Sequence, residues 1–424
     1  MKVAAIGLLL LSVHVVFVGY TAFLGWWMQP IAEPGDVDGF AQQIAERVEA
    51  DGRSQVALLL VEDGEPAAEY YYSSRDPVNA DTVFAVASIS KWLTATAVMK
   101  LVQDGAVDLD TSVSHYLTRW QLPNGAYDNE QVTPRRLLSH TAGLTDGLGF
   151  GDYGAQEEVP PLELELANPR ASSGDAVSIS VGLEPGSAWQ YSGGGYLLLQ
   201  LLVEEVTGQR FSDYMQEVLF APLGMHRTSY RYLAEVENNA GSYDGEGETA
   251  PVYRYASDAA TGLITSTADL MRFVLAQIPR SGANQVLHEA VLRQMRAPHG
   301  RVAGADIWGL GTILYAPAGN GDYVFGHDGA TDPAINSTAR INPASGDAIV
   351  VLATGGSAIA SEAGAEWVLW QTGYPDVLNF ADVIRSMYLP GLLGLLILGL
   401  LFAVYVRWQN SLRQRAMNSR LQQG

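Results

Sequence analysis

A serine and a lysine stand three residues apart in an otherwise apolar stretch of the sequence. These are Ser88 and Lys91, within residues 84–93. Because positions i and i+3 share one face of a helix, the Lys91 amine could contact the Ser88 hydroxyl. Apolar neighbours would lower the pKa of Lys91, and a neutral amine is a competent general base for a serine nucleophile. The alternative is a helix-capping serine followed by a surface lysine, since an S-x-x-K match alone is weak evidence.

A tyrosine on a glycine-rich turn is the second candidate. Tyr191 precedes a serine and three glycines, residues 193–195, which lead into a predicted helix. Glycines let the backbone approach a ligand closely, and a phenol beside a lysine ammonium could take part in proton transfer. A buried aromatic residue beside a flexible loop would give the same pattern.

A histidine at the end of a predicted strand is the third candidate, in His327-Asp328-Gly329-Ala330. A strand here can present a backbone N–H group towards a substrate carbonyl. The N–H groups of Ser88 and Ala330 would then form an oxyanion hole, and His327 could hydrogen-bond the substrate. Seen alone, this histidine would be an ordinary polar residue at a strand end.

Together these three features resemble the active-site residues of the serine beta-lactamase and penicillin-binding-protein superfamily. The resemblance is strongest to its class C beta-lactamase-like branch of esterases, D-aminopeptidases and related hydrolases. Other stretches are similar to landmarks of that branch, at residues 132–144, 185–192, 222–225 and 261–270. The similarity runs from about residue 37 to residue 372 in the right order. Each piece is weak alone, but the combination is highly specific.

The resemblance implies a role for each candidate. Ser88 is expected to be the acylated nucleophile. Lys91 and Tyr191 are expected to share the general-base and general-acid work, with the assignment between them open. Residues 327–329 take the place of the K-T-G strand motif, with the histidine near the leaving group or a substrate carboxylate. His140, despite its recurring motif, is expected to hold a loop together rather than to react.

Two departures from the family pattern bear on the substrate. The family element usually ends Tyr-x-Asn, and Gly193 here replaces the amide that normally helps to hold the substrate and the lysine. Residues 330–335 lack the usual glycine and aromatic residue after the proline. The K-T-G lysine is replaced by His327, which is mostly neutral at pH 7, and Asp328 adds negative charge. These changes argue against efficient penicillin turnover and favour an ester, a neutral amide or a peptide.

Two functions follow from these residues. The first is a serine hydrolase that acts through a Ser88 acyl-enzyme on a small-molecule, peptide or lipid-ester substrate. The second is a weakly active or inactive penicillin-binding-like module with a binding or regulatory role at the cell envelope, which the missing amide at Gly193 motivates. The presence of the nucleophile, the lysine and the tyrosine favours the enzyme.

The elements around these residues predict a mixed α/β (α+β) fold. Helices are predicted at 38–48, 90–102, 196–206, 267–276 and 358–370, and strands at 54–61, 67–72, 311–315, 322–325, 335–341 and 348–353. Neighbouring strands joined by short turns imply an antiparallel sheet. We expect this sheet to be flanked by the N- and C-terminal helices. A mostly helical lobe is inserted between its strands, and the site is expected in the cleft between sheet and lobe, as in beta-lactamases and transpeptidases.

Composition narrows the classes of function. The 424 residues include no cysteine, which excludes disulfides, thiolate metal sites, iron–sulfur clusters and cysteine nucleophiles. The seven histidines lack close ligand spacing, so neither a metal site nor a cofactor is predicted. The formal net charge is −21, and nucleic-acid binding is not expected, because neutralising phosphates needs a basic surface. The sequence carries no signal for an oligomeric state.

Two apolar segments predict membrane anchors at both ends, with membrane lipids as partners. Residues 1–32 favour an uncleaved signal anchor over a cleaved signal peptide, because no convincing small-x-small cleavage site is present. Residues 386–406 are uncharged and long enough to span, and the tail, 407–424, carries four arginines and no acid. The positive-inside rule places that tail in the cytoplasm. The hydrolase domain, 36–372, is then periplasmic or extracellular, with 373–385 as a linker.

Overall fold

The computed structural model describes residues 2–147, 152–170, 177–278, 286–319, 321–356 and 358–421. The chain divides into two units. One comprises residues 31–372 and holds all the candidate site residues, and the other comprises residues 1–30 together with 373–424.

The strands form one large and one small antiparallel sheet. In chain order they are β1 Gln55–Glu62, β2 Glu65–Ser73, β3 Val83–Ala85, β4 Ile264–Ser266, β5 Gly300–Val302, β6 Ala305–Trp308, β7 Ile313–Gly319, β8 Asp322–Thr331, β9 Ile335–Asn342 and β10 Asp347–Thr354. Eight strands pair in the order β2-β1-β10-β9-β8-β7-β6-β5, and β3 pairs with β4. The predicted antiparallel sheet and mixed α/β class are therefore confirmed.

The helices agree with the predicted ones to within a few residues, and shorter ones join them in the lobe. In chain order they are α1 Lys2–Phe23, α2 Val37–Asp51, α3 Ile89–Gln103, α4 Pro134–Leu138, α5 Leu162–Ala167, α6 Gly193–Thr207, α7 Phe211–Met215, α8 Ala221–Leu223, α9 Thr267–Ala276, α10 Glu289–Met295, α11 Ile359–Thr372, α12 Phe380–Ser386 and α13 Tyr388–Leu421. Among the described residues, two π-helical turns occur, at Gln216–Phe220 and Asp258–Gly262.

Helices cover both faces of the large sheet. Alternate residues of β1, namely Ala57, Leu59 and Val61, belong to the main core together with residues of α3 and α9. Helices α2 and α11 also contact the sheet, and their Phe40 and Trp370 rings stack with centroids 4.9 Å apart. Because both faces are covered, β9 and β10 are buried along almost their whole length.

Helix α3 runs through the interior of the larger unit. Twelve of its 15 residues are buried, and it contacts β8, α6 and the Asp258–Gly262 turn. Trp92 packs edge-on against Phe273 and Phe325. A helix that is apolar on all sides must be enclosed by other elements. Its first turn, which carries Ser88 and Lys91, is therefore placed inside the protein.

Helix α6 carries the glycine-rich turn to the same region. The Ser192 hydroxyl caps its first turn by accepting a hydrogen bond from the Gly195 N–H group at 2.8 Å. Gly208, with φ of 68°, ends the helix in the left-handed conformation. Tyr191 is therefore held directly before a capped and buried helix.

The smaller unit consists mainly of two long apolar helices. Ala5–Phe23 and a window within Phe380–Arg415 are long and apolar enough to cross a membrane. Helices α1 and α13 contact each other, and His14 Nε2 lies 3.2 Å from the carbonyl oxygen of Gly391. Part of the predicted linker forms α12, and α13 continues through the predicted tail as far as Leu421. Residues 422–424 of that tail lie outside the described residues.

Candidate active site

The backbone is strained at Ala87, the residue directly before Ser88. Ala87 has φ of 45°, in the left-handed region that costs a non-glycine residue about 1–2 kcal/mol. The Ser90 hydroxyl holds this turn by donating to the Ala87 carbonyl at 2.6 Å. Ser88 stands at the N-cap position of α3, but its side chain makes no capping hydrogen bond. The capping role considered for Ser88 is therefore wrong.

Lys91 is buried beneath Ser88, with only 2% of its surface exposed, so it is not a surface lysine. Its Nζ lies 3.1 Å from Ser88 Oγ and donates to the carbonyl oxygen of Ala260 at 2.8 Å. Burial lowers the pKa of Lys91 to about 7, and the negative charge of Asp146 opposes that shift. A large fraction of the amine is therefore neutral near pH 7, as its apolar neighbours predicted.

Tyr191 lies beside Lys91, whose Nζ is 4.9 Å from the centroid of the phenol ring. Burial raises the pKa of Tyr191, and a hydrogen bond with Ser88 opposes that shift. The phenol is therefore protonated at neutral pH. The structure thus brings Ser88, Lys91 and Tyr191 together. Their protonation states differ in a useful way, since the amine can accept a proton and the phenol can donate one.

His140 fixes the loop that carries Tyr191. Its Nδ1 accepts a hydrogen bond from the Ser192 N–H group at 3.2 Å. The His140 and Tyr191 rings lie with centroids 4.4 Å apart, and Trp308 packs against both. Burial lowers the pKa of His140 well below its usual value, so the ring is neutral. These contacts agree with the prediction that His140 holds a loop.

His327 presents a hydrogen-bond acceptor and no charge. Its Nδ1 lies 2.6 Å from the Asp328 carbonyl oxygen, and because a carbonyl only accepts, Nδ1 carries the proton. Nε2 is then the acceptor, and it is buried without a hydrogen-bond partner among the described residues. Burial lowers the pKa of His327 to about 4, with the charge of Lys91 adding to the effect. A neutral acceptor of this kind does not bind a carboxylate.

Asp328 does not add a free negative charge to the site. Its carboxylate accepts from Arg340 Nη2 at 2.9 Å and from the Tyr315 hydroxyl at 2.9 Å. Arg340 is 1% exposed, and successive side chains of a strand point to opposite faces of the sheet. The charge of Asp328 is therefore balanced by a buried guanidinium.

The second half of β8 lies against the Ser88 turn. A Cβ atom on Gly329 would lie 2.1 Å from the Val86 carbonyl oxygen and 3.1 Å from the Ser88 nitrogen, so only glycine fits there. Strand β7 pairs with β8 only as far as Gly326. The following residues, including Ala330, therefore have one edge free of β7, as an oxyanion hole built from the Ser88 and Ala330 N–H groups requires.

Sequence reasoning missed two groups around Lys91. One is Asp146, 3% exposed, which accepts from the Ser192 hydroxyl at 2.5 Å and from the Gly194 N–H group at 2.9 Å. Burial raises the pKa of Asp146, although these hydrogen bonds oppose the shift. The other is the Ala260 carbonyl, a backbone group that leaves no mark in the sequence. Asp146 carries no sequence signal either, because it lies 46 residues before Ser192 and only the fold brings the two together.

Metal ligands are not assembled in the part of the chain that the structure describes. No group of three or more His, Asp or Glu side chains that could hold an ion occurs among those residues. The chemistry that the site can support from its own side chains is proton transfer and nucleophilic attack by a serine.

The sequence and fold match those of known proteins along most of the chain. Residues 40–374 match the beta-lactamase family. The chain is similar to penicillin-binding protein 4 of Amycolatopsis lactamdurans, with 32% identity over 66% of this chain and 74% of that protein. It spans 54–62% of the length of several other curated relatives.

Solved structures share the fold at low sequence identity. A D-amino acid amidase from Ochrobactrum anthropi superposes with a TM-score of 0.61 at 23% identity, over 83% of this chain and 99% of that chain. A class C beta-lactamase mutant gives a TM-score of 0.61 at 18% identity, over 81% and 99% of the two chains. The resemblance deduced from the motifs is confirmed: the chain belongs to the beta-lactamase family of serine hydrolases, which includes penicillin-binding proteins.

Proposed function

We propose that this chain hydrolyses an ester, amide or peptide bond through an acyl-enzyme at Ser88. The observation that carries the proposal is the 3.1 Å contact between Ser88 Oγ and the buried Lys91 Nζ, whose pKa is lowered to about 7. A serine is a weak nucleophile unless a nearby base takes its proton. Lys91 is such a base, because its amine is partly neutral at physiological pH.

Acylation requires proton transfers among Ser88, Lys91 and Tyr191. Lys91 takes the hydroxyl proton while Ser88 Oγ bonds to the substrate carbonyl carbon, and the N–H groups of Ser88 and Ala330 stabilise the oxyanion. The bond to the leaving group then breaks as Tyr191 donates its proton to the departing alcohol or amine. The Lys91 ammonium returns a proton to Tyr191, which leaves a neutral lysine beside the acyl-enzyme.

Water completes the reaction by the same route. Lys91 takes a proton from water as the water oxygen bonds to the acyl carbon. The lysine then returns that proton to Ser88 Oγ as the ester bond breaks, which releases a carboxylic acid. Lys91 is thus the base and Tyr191 the acid, the assignment that the resemblance left open.

The charge of the site supports an uncharged substrate group next to His327. Where the family has a lysine, this chain has a neutral imidazole whose Nε2 is an acceptor. An N–H or O–H donor of the substrate suits that atom. A carboxylate would instead place an oxygen lone pair against the lone pair of Nε2, and neither atom carries a proton to donate. We therefore favour an ester, a neutral amide or a peptide over a penicillin.

We further propose that the two apolar helices anchor the hydrolase unit outside the cytoplasm. The basic tail, 407–424, would lie inside and the hydrolase domain, 36–372, outside. The domain would then be close to the membrane, where a lipid ester or a cell-wall precursor is within reach. A reporter fused after Gly424 should behave as cytoplasmic, and one inserted in loop 236–251 as exported. The reverse pattern would refute this orientation.

An active-site probe tests the acyl-enzyme directly. We expect the full chain in detergent to gain one fluorophosphonate adduct in an intact-mass measurement, and Ser88→Ala to gain none. A parallel incubation with a penicillin is expected to give little or no lasting adduct. Equal labelling of Ser88→Ala, or no labelling of either protein, would contradict the proposed hydrolase. The alternative function as a binding or regulatory module would then be favoured, and Gly193 would be the first residue to examine.

A further inference from the structure

A buried carboxylate lies behind the turn that carries Tyr191 and takes no part in the proton transfers described above. Asp146 is 3% exposed and belongs to the loop that follows α4. Its Oδ1 accepts from the Ser192 hydroxyl at 2.5 Å, and its Oδ2 accepts from the Gly194 N–H group at 2.9 Å. Burying a carboxylate is costly unless hydrogen bonds and an opposite charge compensate for it. Asp146 therefore calls for an explanation beyond packing.

The two hydrogen bonds of Asp146 fix the turn that follows Tyr191. They reach Ser192 and Gly194, the first and third residues after the phenol. A Cβ atom on Gly194 would lie 3.0 Å from Asp146 Cγ, so the carboxylate packs closely against the backbone of this turn. Asp146 thus helps to hold the Tyr191 ring beside Lys91, whose Nζ is 4.9 Å from the ring centroid.

The other titratable side chains around Lys91 carry no charge at neutral pH. They come from the loop after α4, from the start of α6 and from β8, and they are His140, Tyr191, Tyr196 and His327. Burial raises the pKa of both phenols and lowers the pKa of both imidazoles. Asp258, on the π-helical turn, has Glu204 rather than Lys91 as its charged neighbour. The charge that acts on Lys91 is that of Asp146.

The proposed mechanism forms a positive charge on Lys91 in a buried place. Its amine becomes an ammonium each time it takes a proton from Ser88 or from water. Nζ donates to the Ala260 carbonyl, a neutral oxygen, at 2.8 Å, and Gly193 has no side chain that could contact it. The negative charge of Asp146 raises the pKa of Lys91 against the effect of burial. Without that charge, the buried ammonium would form less readily.

We propose that Asp146 is a positioning residue for the Ser88 reaction, which holds the Tyr191 turn by two hydrogen bonds and stabilises the Lys91 ammonium by its charge. The role in catalysis rests on the proposed hydrolysis, but the effect on Lys91 can be measured without any reaction. A base that is too weak does not take the serine proton, and one that is too strong stays protonated at pH 7. Asp146 keeps Lys91 between these limits.

The few lysines of this chain allow the effect on Lys91 to be measured directly. The sequence contains three, Lys2, Lys91 and Lys100, so an isotope label on lysine Cε gives three NMR signals from the full chain in detergent. Lys91→Met identifies the signal of Lys91. We expect that signal to titrate near pH 7 in the unaltered chain. In Asp146→Asn it should titrate at least about one pH unit lower, because a nearby opposite charge shifts a pKa by about 1–3 units.

An unchanged or higher pKa of Lys91 in Asp146→Asn overturns the proposal. The melting temperature shows whether this variant is folded. Asp146→Ser is the second variant, with the same expected shift, because its neutral hydroxyl can still accept from the Gly194 N–H group.

The matched control is Asp269→Asn, in the same unit of the chain. Asp269 is 1% exposed and likewise accepts from a backbone N–H group and a hydroxyl, those of Arg227 and Thr228. Its carboxylate forms an ion pair with Arg272. Asp269→Asn should leave the titration of Lys91 in place. An equal shift in both variants would show a general effect of losing a buried carboxylate, and it overturns the proposal as well.

The rate of Ser88 labelling separates this proposal from the proposed hydrolysis. Fluorophosphonate labelling of the unaltered chain should become faster with rising pH and level off above about pH 7. In Asp146→Asn the rise should occur at lower pH, with a lower plateau, because a weaker base takes the serine proton less readily. A rise at the same pH in both chains contradicts the role of Asp146. No labelling of any chain contradicts the hydrolase, and the lysine titration then still decides whether Asp146 acts on Lys91.

Discussion

The two ends of helix α3 each hold a lysine, and the two lysines have opposite surroundings. Lys91 lies in the first turn, is 2% exposed, and donates to the Ala260 carbonyl, a neutral oxygen. Lys100 lies in the last turn, is partly exposed, and forms an ion pair with Asp104. The helix dipole favours a cation at the last turn and disfavours one at the first. Lys100 is therefore placed where a charge is stable, and Lys91 where it is not.

On one helix, this difference distinguishes a lysine in an exposed ion pair from a buried lysine that is the candidate base. Burial, the helix dipole and the lack of an ion pair all act on Lys91 in the direction of a neutral amine, and its pKa is lowered to about 7. A base with a pKa near the working pH is the most effective one. The same three factors are absent at Lys100, so the two residues form a natural pair for testing the mechanism.

The largest expected effect comes from removing each lysine in turn. Lys91→Ala should lower kcat/KM for a 4-nitrophenyl ester by about 10³-fold, since general-base catalysis contributes about 10²–10⁴-fold. Lys100→Ala should change it by less than about twofold, because an exposed ion pair contributes little. Similar losses in both variants would show that Lys91 acts through the stability of α3 rather than as a base.

Replacing the candidate acid should give the next largest effect. Tyr191→Phe removes the proton donor and should lower kcat by about 10²-fold for an amide, whose amine must be protonated as it leaves. The loss should be smaller for a 4-nitrophenyl ester, whose leaving group needs no proton. Tyr196→Phe is the matched control, since among the described residues its buried hydroxyl hydrogen-bonds only to the Leu138 carbonyl, at 3.3 Å. Equal losses for both substrates would contradict the assignment of Tyr191 as the acid.

How much of this site the sequence could predict depends on the kind of group. The Ser88 and Lys91 side chains stand at helical spacing, so their contact followed from the sequence. The Ala260 carbonyl did not, because any residue supplies a carbonyl and only the π-helical turn aims it at Lys91. The left-handed φ of Ala87 was equally hidden, since alanine carries no signal for that conformation.

Long strands could be predicted from the sequence, whereas short strands could not. Strand β10, whose eight residues include the continuous apolar run 348–353, was predicted to within one residue at each end. Strands β3 and β4 have three residues each and pair residues 83–85 with 264–266, far apart in the sequence. Three residues carry no detectable periodicity. Tertiary contacts rather than local pattern therefore determine them.

The pH dependence of catalysis sharpens the comparison further. Lys91 must be neutral to accept a proton, so kcat/KM should rise with pH and level off above about pH 7. Below pH 7, kcat/KM should drop about tenfold for each unit by which the pH is lowered. His327 does not contribute to this limb, since burial lowers its pKa to about 4. Lys100→Ala should leave the limb in place. A rate that is independent of pH between 5.5 and 8 would show that Lys91 is not the base.

The smallest expected effect is on stability, and it has opposite signs at the two ends of α3. Lys91→Met should raise the melting temperature of the full chain in detergent at pH 7, because it removes the cost of burying an amine whose charged form is disfavoured, as its lowered pKa of about 7 indicates. Lys100→Met should lower it slightly, by the small contribution of an exposed ion pair.

The sign of the pH dependence provides the control for this last prediction. The pKa of Lys91 is lowered in the folded chain, whereas an unfolded lysine titrates near 10.4, so between about pH 7 and 10.4 the unfolded chain binds more protons. Stability of the unaltered chain should therefore rise with pH across that window. The advantage of Lys91→Met should be largest at pH 7 and shrink towards pH 10. An advantage that stays constant with pH would mean that the methionine packs better, and that the lysine amine carries no burial cost.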